Sequence, residues 1–109
     1  MLIDFSKMEL TVLKNFYGGE QEMRANMHVD ERNRILRGRL APGASIGMHT
    51  HETSSEIIYI LSGTGKALYD DGEETLVPGM CHYCEKGHEH SLINDGAEEL
   101  CFFAVVPQQ

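Results

Sequence analysis

The chain has 109 residues, 41% of them hydrophobic and 24% charged, and a formal net charge of −8 with neutral histidines. That length suits one domain, expected over residues 1–109, folding to a radius of gyration of about 13 Å and burying roughly 65% of its unfolded surface without staples. The acidic balance argues against nucleic acid, whose phosphates need a basic footprint, and against an anionic membrane surface.

From the N-terminus, Met1 to Lys7 contains Asp4 and lacks the charged-then-apolar pattern of a secretory signal. No later stretch is long and apolar enough to span a bilayer. Three cysteines are an odd count, which disfavours a disulfide framework, so a cytoplasmic location is expected. Leu10 to Leu13 reads as a short strand ended by Asn15 and the Gly18-Gly19 pair. Arg24 to Val29 reads as a strand, and Asn33 to Leu40 as another that stops at the Ala41-Pro42-Gly43 turn.

The run Glu56 to Leu61 is short, apolar and β-branched, hence a strand. After the Ser62-Gly63-Thr64-Gly65 turn, Lys66 to Tyr69 and Glu73 to Val77 flank a hairpin signal at Asp70-Asp71-Gly72. Met80 to Cys84, Glu89 to Ile93 and Glu99 to Val106 complete the strands. Turns recur at intervals of roughly ten residues and no long amphipathic helix appears, which points to an all-β sandwich or barrel. Ile57 to Leu61 and Leu100 to Val106 are apolar on both faces. A strand with one wet face should alternate, so a second cover is expected, and in a small chain that cover is a partner subunit: a homodimer.

The chemistry concentrates in Gly43 to Gly63, where His49, His51 and Glu56 fall within eight residues. On a strand, residues two apart share a face, so both imidazoles point the same way. Two imidazoles and a carboxylate suit Zn, Fe, Mn, Ni or Cu, and not Mg or Ca, which want oxygen ligands. His90 is a fourth candidate ligand.

These residues match a pair of spaced motifs. The first is Gly43, five residues, His49, Thr50, His51, four residues, Glu56, six residues, Gly63; the second is Gly79, five residues, Glu85, Lys86, Gly87, two residues, His90, three residues, Asn94. In this the chain resembles the cupin superfamily, motif 1 spanning 43–63 and motif 2 spanning 79–94. It departs from the pattern at Glu85, where the family usually has a turn-shaping proline. The resemblance implies a jelly-roll β-barrel of two antiparallel sheets, of the small single-domain RmlC-like kind, commonly dimeric. It also implies that His49, His51, Glu56 and His90 hold one divalent transition metal ion per chain. Three imidazoles and a carboxylate leave one or two coordination positions open, as a catalytic site requires and a structural one does not.

Other candidates weigh less. Cys81 and Cys84 look like half a zinc ribbon or a redox motif, but three residues apart on a strand puts their thiols on opposite faces, and two buried or semi-buried cysteines are expected. Cys101, inside an apolar run, is expected in the core. His82 shares a face with Cys84; facing inward it would line the pocket as a substrate contact or acid/base, although a packed or surface histidine is the commoner outcome. His82 and Tyr83 are the only suggestions for a catalytic group. His88 is expected in a solvent-exposed turn and His28 in a structural role. Arg37 and Arg39 share a strand face and would bind an anionic substrate if that face is interior, whereas surface charge is the commoner fate of strand arginines. Ile58 and Ile60 share the face of Glu56 and should line the inner wall, leaving Tyr59 outward. Asp70, Asp71, Glu73 and Glu74 read as a solvated hairpin tip.

Two functions follow. The first is a metal-dependent enzyme on a small organic molecule; cupins that keep all four ligands resemble oxygenases, decarboxylases, lyases and isomerases. The second is a non-catalytic small-ligand binding or sensing module that retains the metal as an anchor.

Overall fold

The computed structural model describes residues 1–109. Ten strands account for most of the chain: β1 (Thr11–Lys14), β2 (Glu22–Val29), β3 (Asn33–Leu40), β4 (Ser45–Thr50), β5 (Glu56–Ser62), β6 (Gly65–Tyr69), β7 (Gly72–Leu76), β8 (Cys81–Cys84), β9 (Glu89–Ile93) and β10 (Leu100–Pro107). Two short 3₁₀ turns, Phe5–Lys7 and Phe16–Gly18, complete it. The strands form two antiparallel sheets, one ordered β1-β2-β3-β10-β5-β8 and the other β4-β9-β6-β7. This is the expected jelly roll, with a radius of gyration of 12.9 Å.

Alternation along the strands fixes which side chains enter the core. On β3, Leu36, Gly38 and Leu40 are buried, and on β10, Leu100, Phe102 and Ala104. The larger sheet therefore turns one face of small and apolar residues towards Ala67, Leu76 and Leu92 of the other. Phe102 is fully buried, which is worth about 1.5–3 kcal/mol. Its ring lies over Gly38, where a Cβ would overlap it.

Turns place the strands. Asp70 and Asp71 close β6 onto β7, with Asp70 at φ 51. Asn94 is fully buried and satisfied: its Nδ2 donates to the carbonyls of Leu40 and Glu98, each at 2.8 Å, and its Oδ1 accepts from Gly96 N at 2.9 Å. Glu85, standing where a proline is usual, leaves the local turn intact, since His88 N donates to the Glu85 carbonyl and Gly87 supplies the φ of 88°.

Three expectations need correction. Cys81 is exposed, because its strand parity points it away from the core. Cys101 is only partly buried, on the outer face of β10 between the inward Leu100 and Phe102. The acidic hairpin is not merely solvated, for Asp70 accepts from His88 at 2.7 Å and Glu74 accepts from His82 at 2.6 Å.

Candidate metal centre

The four side chains reach one point from three strands and one turn. β4 pairs with β9 so that His49 stands opposite His90. Between Ile46, opposite Leu92, and His49, the register slips by one residue. This bulge at Gly47-Met48 changes the parity of β4, so that Ile46 and His49 both face inward although they are three positions apart. His51 follows β4 and is tied to the β8–β9 turn by two backbone bonds, its N–H to the His88 carbonyl and its carbonyl to Gly87 N–H. Glu56 opens β5 on the same face as the buried Ile58 and Ile60.

The Nε2 atoms of His49 and His51 are 3.1 Å apart, those of His51 and His90 2.9 Å, and those of His90 and His49 3.2 Å. Glu56 Oε1 lies 3.1 Å from His51 Nε2, 3.0 Å from His90 Nε2 and 3.9 Å from His49 Nε2. Adjacent donors about 2.1 Å from one ion at right angles would be about 3.0 Å apart. The spacing therefore fits a metal ion.

The other ring nitrogens fix the tautomers. His49 Nδ1–H donates to the Gly47 carbonyl at 2.8 Å, and His51 Nδ1–H to Ser54 Oγ at 2.9 Å. His90 Nδ1–H donates to His82 Nε2 at 3.0 Å, and His82 Nδ1–H to Glu74 Oε1 at 2.6 Å. With every Nδ1 so engaged, three Nε2 lone pairs and a carboxylate face each other. Such a cluster demands positive charge at its centre, from protons on the rings or from a metal ion. Burial would raise the Glu56 carboxyl, but hydrogen bonding to the imidazoles of His51 and His90, through a ring proton that a bound ion would replace, outweighs that and holds it at about 2, as an anion. Burial lowers His49, favouring the neutral ring that a metal requires.

Three members of the cluster, His49, His51 and Glu56, lie on the wall of a cavity of about 350 Å³. Tyr17 also lines it, its ring stacked on His49 with centroids 4.0 Å apart and planes 10° from parallel. Tyr17 adopts φ 53°, and Asn15 and Gln21 in the same loop are also at positive φ. For a bulky side chain this backbone is strained. Glycines hold the loop in place: a Cβ at Gly47 would overlap the Tyr17 carbonyl, and one at Gly19 the Ser45 carbonyl.

The remaining candidates fall elsewhere. His82 is 2% exposed and sits behind His90, not on the cavity wall. Tyr83 is half exposed on the outer face of β8, opposite Ile57, and so cannot act in the cavity. Arg37 and Arg39 share the outer face of β3; Arg37 donates to Asn26 Oδ1 and stacks on Phe5. Cys84 is buried beside the cluster without joining it, and burial pushes its thiol up to about 12. His88 pairs with Asp70 and stacks on Tyr69, and His28 pairs with Asp30. Sequence reasoning missed Tyr17, Ser54, Glu74 and Arg34. The last was legible from parity, since Arg34 shares the face of Leu36 and Leu40.

A family model described as a cupin domain matches residues 36–106. An oxalate-binding protein of Thermotoga maritima is 32% identical over 97% of this chain and 93% of its own length. A beta-alanine degradation protein of Pseudomonas aeruginosa is 33% identical over 62% of this chain and 74% of its own. Among solved structures, that of a predicted oxalate decarboxylase from Thermotoga maritima superposes with a TM-score of 0.93 at 29% identity, each chain covered in full. With its two motifs inside the matched region and a relative alike along nearly the whole length, the chain belongs to the cupin domain family.

Proposed function

We propose that His49, His51, Glu56 and His90 hold one divalent transition metal ion, and that the protein is a metal-dependent enzyme acting on a small organic anion that chelates it. The observation that carries this is the convergence of three Nε2 lone pairs and one carboxylate beside a cavity large enough for a small ligand. When bound, the ion would supply Lewis-acid chemistry and, if iron, manganese, nickel or copper, one-electron chemistry. The chain does the rest. Gly47, Ser54 and His82 fix the three rings through their Nδ1 atoms. Tyr17 shields His49, and Leu36, Ile46 and Phe102 keep part of the cavity apolar. The names carried by two matches from Thermotoga maritima, oxalate-binding in one and predicted oxalate decarboxylase in the other, support a chelating carboxylate as the ligand and decarboxylation as the first reaction to test.

A second reading, a binding module without turnover, is favoured by the relative whose name specifies binding alone. The test is to purify the protein without added metal, measure bound metals by elemental analysis, and follow carbon dioxide release and oxygen uptake with oxalate and other chelating acids. Turnover abolished by His51→Ala supports the enzyme. Metal-dependent binding without turnover supports the module.

We further propose a homodimer formed through the outer face of β5, and a cytoplasmic location, to which three free thiols are suited.

A further inference from the structure

Arg34 is the one arginine on the inner face of β3, and it lines the same cavity as His49, His51 and Glu56. No carboxylate lies within ion-pair distance of it, although the chain carries 17 acidic residues. Its Nε is buried and has no hydrogen-bond partner. A donor that has lost its water and found no acceptor is costly to keep, more so on a charged group. Of the acids that line the cavity with it, Glu56 belongs to the cluster, Glu52 makes no ion pair with it, and Asp30 is already engaged, accepting from His28 and from the backbone N–H groups of Arg32 and Asn33.

Register gives the span. Across the larger sheet Arg34 pairs with Val106, and Val105 pairs with Ile57, which puts Glu56 in the next row position beside Val106. Arg34 and Glu56 therefore lie two strands apart on one inner face, their backbones about 10 Å from each other. Val106, Phe102 and Leu36 line the cavity with them. A guanidinium offers a planar fork of donors matched to a carboxylate.

We propose that Arg34 binds a second, distal carboxylate of the ligand, so that the site prefers a dianion of about four carbons with a chelating head at the metal cluster and an anionic tail at Arg34. This rests on the metal-held chelating anion proposed above and names its class: a 2-hydroxy or 2-oxo dicarboxylate rather than the two-carbon diacid. Arg34 is then a specificity-determining residue.

The test uses a matched pair. L-Malate and (S)-2-hydroxybutyrate share a chelating head and a four-carbon skeleton, and differ in the distal carboxylate. Their affinities for the metal-loaded protein are measured by titration calorimetry, beside oxalate, in wild type, Arg34→Met and Arg34→Lys. The expected result is malate at least 10-fold tighter than 2-hydroxybutyrate in wild type, that ratio falling to near one in Arg34→Met and partly kept in Arg34→Lys. Metal content and 2-hydroxybutyrate affinity should stay unchanged in Arg34→Met, and its melting temperature should hold or rise, since the unpartnered buried donor is gone. A malate preference that survives Arg34→Met, or its absence in wild type while other chelating acids bind, overturns the role of Arg34 and leaves the metal-held anion standing. Failure of every chelating acid to bind the metal-loaded wild type overturns both.

Discussion

His82 Nε2 lies 3.0 Å from His90 Nδ1, with the two rings stacked 5.2 Å apart and 19° from parallel. Behind it, Glu74 Oε1 accepts from His82 Nδ1. Burial lowers the proton affinity of His82, against the pull of Glu74, and a neutral His82 is an acceptor for His90. The chain Glu74–His82–His90 thus orients the proposed ligand nitrogen from the outside. Partners of this kind typically contribute 10–100-fold to metal affinity. His82→Phe should lower metal affinity within that range, read by competition against a chromophoric chelator. Glu74→Gln should cost less, since its side chain is 47% exposed. Unchanged affinity in His82→Phe would reduce the relay to packing.

The contact between Gly47 and the Tyr17 carbonyl predicts a second effect. Gly47→Ala puts a methyl into backbone that has no free rotamer to move. Overpacking of this kind costs about 1–3 kcal/mol. The loop should lift, taking the Tyr17 ring off His49. Urea unfolding should show the loss of stability, and Tyr17 fluorescence or ring-proton shifts the loss of stacking. A variant as stable as wild type, with Tyr17 in place, would mean that the loop adjusts at no cost.

The sequence made the strands legible because alternation and turn chemistry agree almost everywhere: Asn33–Leu40 and Glu89–Ile93 fall within the expected bounds, and the hairpin closes at Asp70-Asp71. The motif spacing named the four clustered side chains because their geometry is set by local register. What stayed hidden depends on contacts between distant segments. The β4 bulge is set by pairing with β9, Tyr17 by a loop folding back on Gly47, and Glu74 by a hairpin crossing His82. Arg37 and Arg39 drew attention by proximity to each other, while parity put Arg34 inside.

Asp30 gives a pH dependence. Its side chain is bound by His28, then by the N–H groups of Arg32 and Asn33, and these hold its carboxyl at about 2. A carboxyl depressed in the folded state contributes stability above its unfolded value, about 3.9, and loses it as pH falls through the folded value. Asp30→Asn should therefore be less stable than wild type at pH 7, with the gap closing between about pH 4 and pH 2. Melting temperatures across that range test this; a gap constant down to pH 2 would remove Asp30 from the account.

Metal should stabilise the fold in proportion to its binding. A ligand at 100 times its dissociation constant adds about 2.7 kcal/mol. Stripping the wild type with a chelator should lower its melting temperature, and adding back the native metal should restore it. His51→Ala, which removes the ring in contact with both Glu56 and His90, should not respond to metal. An equal response in His51→Ala would place the bound metal elsewhere.

The outer face of β5 carries the last prediction. Ile57, Tyr59 and Leu61 are 38%, 42% and 46% exposed, and Tyr83, across from Ile57 on β8, is 50% exposed. On the other side Tyr59 pairs with the partly buried Phe103 of β10, so the patch runs across three strands. Apolar side chains exposed across neighbouring strands in this way support the proposed dimer interface. A two-fold copy would cover Tyr59 with Tyr59 or its neighbours, since the same patch meets itself. Sedimentation at micromolar concentration should give twice the 12.2 kDa of one chain. Tyr59→Asp should shift it to one chain, because an unpaired carboxylate at such a centre resists desolvation while remaining harmless on a solvated monomer face. A wild type that sediments as one chain at micromolar concentration rules out the dimer.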